Sequence, residues 1–69
     1  MTQQKLNEAL GLAIISLGHV MVTDGVDAET AWSKKYELNH VRYLADHEIP
    51  QETITELCKY TAQELFRRC

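Results

Sequence analysis

Apolar side chains point in almost every direction around residues 9 to 22, ALGLAIISLGHVMV, whereas elsewhere they keep to one side of each predicted helix. A helix apolar on all sides has to be covered by protein. The pattern predicts helix one from just after Thr2, an acceptable N-cap, to about Thr23, with Leu6, Leu10, Ala13, Ile14, Leu17 and Met21 at helical spacing. Asp24 and Gly25 end it, because glycine tolerates the left-handed conformation found just past helix ends. Residues 20 to 23 also read as a short strand before an Asp-Gly turn, but no partner strand follows, so helix is preferred.

Asp27 is a good N-cap for a second helix, with Glu29 in its first turn and Val26 placed to pack on Ala31. Ala28, Ala31, Trp32, Lys35 and Tyr36 give this helix a mixed face up to about Glu37. Asn39 is expected to cap a short third helix over 40 to 48, with Val41, Leu44, Ala45 and Glu48 inward and an Arg42–Asp46 pair outward. Pro50 then opens a fourth helix over 51 to 68. Ile54, Leu57, Cys58, Thr61, Ala62, Leu65 and Cys69 share one face of it; Glu52, Glu56, Lys59, Gln63, Glu64, Arg67 and Arg68 take the other. The expected fold is all-α, a single small four-helix domain over residues 1 to 69, with two long helices flanking two short ones and dimerisation available to complete it.

A chain of 69 residues buries only about 60% of the surface it exposes unfolded, so its core is marginal and a partner is a common remedy. Cys58 and Cys69, eleven positions apart on one predicted helix, would lie about 16 Å apart, too far for a disulfide. Free thiols fit a reducing cytoplasm. The net charge of −3 argues against broad electrostatic binding to nucleic acid or anionic membrane. Residues 9 to 22 fall short of the ~20 that a membrane span needs, and no signal-peptide cleavage pattern follows them. The expectation is a cytoplasmic protein that does not engage a membrane.

The ingredients of chemistry are scattered. His40 and His47 are about 10 Å apart by helical rise, and His19 is isolated, so neither a metal site nor a cofactor is expected. Cys58 reads as a small buried hydrophobe, and the acidic band of Asp46, Glu48, Glu52 and Glu56 as a solvated surface. Four short helices leave little room for a substrate pocket, so an enzyme is not expected.

Residues 31 to 44, AWSKKYELNHVRYL, resemble the centre of a helix-turn-helix DNA reader, with Trp32, Ser33, Tyr36, Leu38 and Asn39 at its patterned positions. The resemblance implies that His40, Arg42 and Tyr43 face the major groove and that Lys34 and Lys35 contact phosphate. Glu37 stands where the turn usually has glycine, and Asp46 where the recognition helix should be apolar. A bent helical hairpin capped by Asn39 is the preferred reading. From Ala31 and Trp32 through Tyr36, and again at Glu48-x-Pro50, the chain also resembles the theta subunit family of bacterial replicative polymerase. That resemblance implies a small helical protein that binds and stabilises another subunit; the chain is not assigned to the family on it.

Gly11 and Gly18, seven positions apart, lie nearly on one line along helix one. Each costs up to about 1 kcal/mol relative to alanine, so a close helix approach there is one reading and simple tolerance the other. The sequence thus points to a non-enzymatic accessory or regulatory protein that binds another protein and self-associates through helix one. Leu12, Ile15 and Val22 are the apolar residues expected at that surface, with Trp32, Tyr36 and Tyr43 as aromatic anchors, although Trp32 also suits the core. The alternative is a DNA-binding regulator using residues 28 to 48, with Lys34, Lys35, His40 and Arg42 as its contacts.

Overall fold

The computed structural model describes residues 3–68 and is all-α. Helix α1 spans Gln3–Asp24, α2 Ala28–Ala31, α3 Glu37–Asp46, α4 Gln51–Leu57 and α5 Ala62–Arg68. A single 3-10 turn, Lys34–Tyr36, leads into α3. Helix α1 packs against each of the other four helices and forms the axis of the domain.

Only one side of α1 enters the core. Ala9, Leu10, Ala13, Ser16, Leu17 and Val20 are buried, while Ile15, His19 and Val22 are exposed. The inner side feeds two adjoining clusters. Ala9, Leu10 and Ala13 meet Leu44, Ile49, Ile54, Leu57 and Leu65; Leu17 and Val20 meet Ala31, Tyr36 and Ala62. The helix continues through Asp24, so residues 20 to 23 are not a strand. Gly25 follows at φ +64°, as its expected role requires. The Thr2 cap lies outside the described residues.

Asp27 caps α2 as expected, its carboxylate accepting from the Thr30 N–H at 2.8 Å. The second helix is much shorter than the apolar spacing suggested. It stops at Ala31 because the Trp32 indole N–H turns to the Tyr60 carbonyl at 2.9 Å, and the Ser33 hydroxyl donates to the Thr30 carbonyl at 2.7 Å. These tertiary and local bonds outweigh the ordinary helix propensity of residues 32 to 36, two of which are lysines. Helix α3 consequently starts at Glu37, and Asn39 is an exposed residue within it rather than its cap.

The end of α3 is a Schellman motif. Ile49 N–H reaches the Leu44 carbonyl at 3.1 Å, Glu48 N–H reaches the Ala45 carbonyl at 3.0 Å, and Ile49 and Leu44 share the core. Glu48, expected to point inward, is exposed and holds φ +62° at the position glycine usually fills. Ala45 is likewise exposed. Glu48→Gly should therefore raise stability by about 0.5–1 kcal/mol, read as a higher urea midpoint at unchanged slope. An unchanged or lower midpoint would show that Glu48 bears no conformational strain.

The helix expected over 51 to 68 is divided. Cys58 to Tyr60 form a turn, and Thr61 opens α5 with a capping box: its hydroxyl accepts from the Glu64 N–H at 3.2 Å, and its own N–H donates to the Glu64 carboxylate at 2.7 Å. Thr61 is exposed, not on the inner face; Thr53 is buried there instead. The break also removes the single-helix spacing on which the Cys58 to Cys69 separation rested. Cys58 is a half-buried free thiol, and Cys69 lies outside the described residues.

Candidate functional site: the outer side of α1 and its groove with α3

The 4-3 spacing Glu8, Gly11, Ile15, Gly18, Val22 runs along the side of α1 opposite its core face. Ile15 is 58% and Val22 85% exposed. A side-chain carbon added at Gly11 or Gly18 would meet nothing within 4 Å, so no close approach within the chain explains either glycine. Leu12, expected beside Ile15 and Val22, is half-buried and packs against the core, which leaves those two as the exposed apolar pair. Leu38, which the helix-turn-helix resemblance placed as an apolar position, and Phe66, not singled out from the sequence, are also exposed, at 60% and 47%.

Beside this strip, α1 and α3 enclose an open groove of about 530 Å³. Ile15 and Val20 supply apolar walls, and Asn39, Arg42, Tyr43 and Asp46 form the α3 side. The expected Arg42–Asp46 ion pair is not made; both charges stand exposed on the rim. Tyr43 is half-buried, its ring 4.5 Å from that of His47, whose Nδ1–H donates to the Tyr43 carbonyl at 2.8 Å.

Below the groove lies a polar connection that sequence periodicity did not suggest. His40 is 1% exposed. Its Nε2 is 2.6 Å from the Ala31 carbonyl, which can only accept, so Nε2 carries the proton. Nδ1 then accepts from the Ser16 hydroxyl at 2.6 Å. The ring also lies 4.5 Å from the Trp32 ring. His40 therefore ties α1, α2 and α3 together, and burial holds it below the ordinary histidine range despite the Ala31 carbonyl acting the other way.

A serine hydroxyl on a histidine nitrogen invites comparison with a nucleophile and its base. Ser16, however, is buried in the middle of α1, where neighbouring N–H groups are committed to helix hydrogen bonds and cannot stabilise an oxyanion. Cys58 is no better placed. Burial, followed by the charge and hydrogen bond of Glu37, pushes its thiol pKa up, away from a reactive thiolate. No group of histidine, cysteine and acidic side chains among the described residues is arranged to hold a metal ion.

Several expected surface residues are internal. Tyr36 is 7% exposed and donates its hydroxyl to Asp24 at 2.7 Å, closing α1 onto the 3-10 turn, so it is a core residue and not a free anchor. Trp32 is half-buried and held by Tyr60. Burial removes His40 from the residues a DNA groove could touch, while Lys34, Lys35 and Arg42 remain exposed. The helix-turn-helix pattern also required helix through Tyr36 and a turn at Glu37; α2 instead ends at Ala31 and Glu37 begins α3.

By length and composition alone, Gln4–Asp24 is apolar enough to cross a bilayer. Residues 9 to 22 alone are too short for that, but the helix extends beyond them at both ends. Its inner side is nonetheless the core of the domain, and moving it into lipid would separate it from both clusters. Comparison with protein-family models, curated proteins and solved structures finds no match.

Proposed function

We propose that this chain is a small non-enzymatic accessory or regulatory protein that acts by binding another protein, and that it self-associates through α1. The observation that carries the reading is the division of α1: its inner side supplies the core, while Ile15 and Val22 stand exposed on its outer side next to a groove with apolar walls and a charged rim. An apolar strip rimmed by polar groups is the composition of a protein-binding surface. Occupying a partner's surface requires no pocket chemistry, which is consistent with a Ser16–His40 pair that is satisfied internally. We set this activity in a reducing cytoplasm, where Cys58 stays a thiol.

The test compares the wild type with an Ile15→Asp/Val22→Asp variant, both used to capture partners from host lysate under nuclease treatment. Both positions are exposed, so the variant should match the wild type in helical circular dichroism and lose at least tenfold in capture of any specific partner protein. Equal capture by the two would overturn the proposed surface. Capture abolished by nuclease, falling steeply with salt and dependent on Lys34 and Lys35, would establish nucleic-acid binding instead.

A further inference from the structure

We propose that two copies of this chain pair through their α1 helices in an antiparallel, two-fold arrangement, with Ile15 of each seated against Gly18 of the other and Val22 against Gly11. The inference rests on the proposal that the outer side of α1 is an association surface, and it names the partner and the register.

Gly11, Ile15, Gly18 and Val22 alternate small and large at intervals of four, three and four, the seam spacing of paired helices. The intramolecular core does not use them: both glycines look onto open space, and both β-branched residues are exposed. Two-fold antiparallel pairing about the point midway between Ser16 and Leu17 sets Ile15 opposite Gly18 and Val22 opposite Gly11. One register thus satisfies all four positions in both copies. That is the self-complementarity an isologous interface demands, and the glycines let the two backbones approach closely. Unstaggered parallel pairing would place Ile15 against Ile15 and glycine against glycine, producing bulges and gaps.

Charge favours the same direction. Asp24, Asp27 and Glu29 lie at or just past the C-terminal end of α1, where Lys35 over the Tyr36 ring and Lys34 beside Glu29 offset them only in part, whereas Lys5 and Glu8 balance each other near its start. Parallel pairing would bring two acidic ends together, while antiparallel pairing in this register sets the two Asp24 about 22 Å apart along the pair and opposes the helix dipoles. Arg42 and Asp46, unpaired on the rim that includes Ile15, offer opposite charges that a two-fold axis can match between copies. In this register the two copies of α1 overlap over residues 9 to 24, a strip about 24 Å long and one helix wide that buries less than a standard interface, so the dimer should be weak and concentration-dependent.

Light scattering under reducing conditions should show the wild type moving from one chain to two as concentration rises. Direction and register are read by disulfide trapping in a Cys58→Ala/Cys69→Ala background whose fold is checked by circular dichroism. Gly11→Cys/Val22→Cys should give covalent dimers on mild oxidation. Neither Gly11→Cys nor Val22→Cys alone should do so, because like positions lie about 16 Å apart along the pair. Trapping by either single variant as efficient as by the double would establish parallel pairing and overturn the inference. A wild-type dimer trapped by none of them would overturn this register while leaving self-association standing. A chain that stays single at every concentration would overturn both, leaving partner binding to be decided by the Ile15→Asp/Val22→Asp capture.

Discussion

Leu17→Ala is expected to remove most of the stability of this domain. Leu17 is fully buried at the middle of α1, in the cluster of Val20, Ala31, Tyr36 and Ala62. Truncating such a leucine costs about 2.7–5 kcal/mol, the spread reflecting how far the surroundings can collapse. A domain of this size has roughly 3–10 kcal/mol in total. The buried neighbours are two alanines, a valine and a tyrosine tied to Asp24, which have little freedom to fill the space, and the half-buried Ile14, Met21 and Trp32 packed against them set how much of it closes. Urea denaturation followed by circular dichroism should therefore show a strongly lowered midpoint, or no folded baseline at 25 °C. Val22→Ala, five positions along the same helix but 85% exposed, should stay within about 0.5 kcal/mol of wild type. Similar losses at the two positions would mean that α1 has no inner and outer side, and the proposed association surface would fall with that distinction.

That distinction is where the sequence was hardest to read. The near-uniform apolarity of residues 9 to 22 carries no record of which side neighbours cover, so Ile15 and Val22 could be suspected of exposure but Leu12 could not be separated from them. Where a local chemical signal existed, the boundary was legible. Asp27 caps α2, Gly25 follows α1 with positive φ, and the chain is helical throughout its main elements. The division between α4 and α5 was also written locally, in Thr61-Ala62-Gln63-Glu64, but the continuous apolar spacing from Ile54 to Leu65 masks it. Because Thr61 stands four positions after Leu57, a helix periodicity runs through the break without interruption. The early end of α2 is different in kind. It depends on Trp32 reaching the Tyr60 carbonyl, a contact between distant parts of the chain that no local pattern specifies. The same holds for His40, whose burial depends on a serine two dozen positions earlier and on the Ala31 carbonyl. A histidine flanked by asparagine and valine at the start of a helix reads as surface, and only the assembled helices convert it into a link between them.

The stability of the domain should consequently fall with pH below about 6.5, with His40 as a principal cause. In the unfolded chain His40 titrates near 6.5, and in the folded chain burial lowers its pKa. Below the unfolded value the unfolded state takes up the proton first, so the stability present at pH 7.5 is progressively lost until pH passes the folded value. Geometry limits how the folded state can respond. The Ala31 carbonyl already occupies the Nε2–H, so a second proton must go onto Nδ1, forcing the Ser16 hydroxyl to stop donating and accept instead. Both hydrogen bonds can survive that change, but a charge would then sit within the junction of α1, α2 and α3. Urea midpoints for the wild type should therefore drop between pH 7.5 and 5.5, and His40→Gln should show a smaller drop, having nothing to protonate there. His40→Gln should also be less stable at pH 7.5, by about 1–3 kcal/mol, if its amide meets only one of the two buried partners. Trp32, the sole tryptophan and 4.5 Å from the imidazole, provides an independent readout. Its fluorescence in the folded wild type should be quenched as pH falls, and that transition should vanish in His40→Gln. A pH-dependent loss of equal size in the two proteins, with an unchanged fluorescence transition, would show that the titrating group lies elsewhere and that His40 acts only as a neutral fastening.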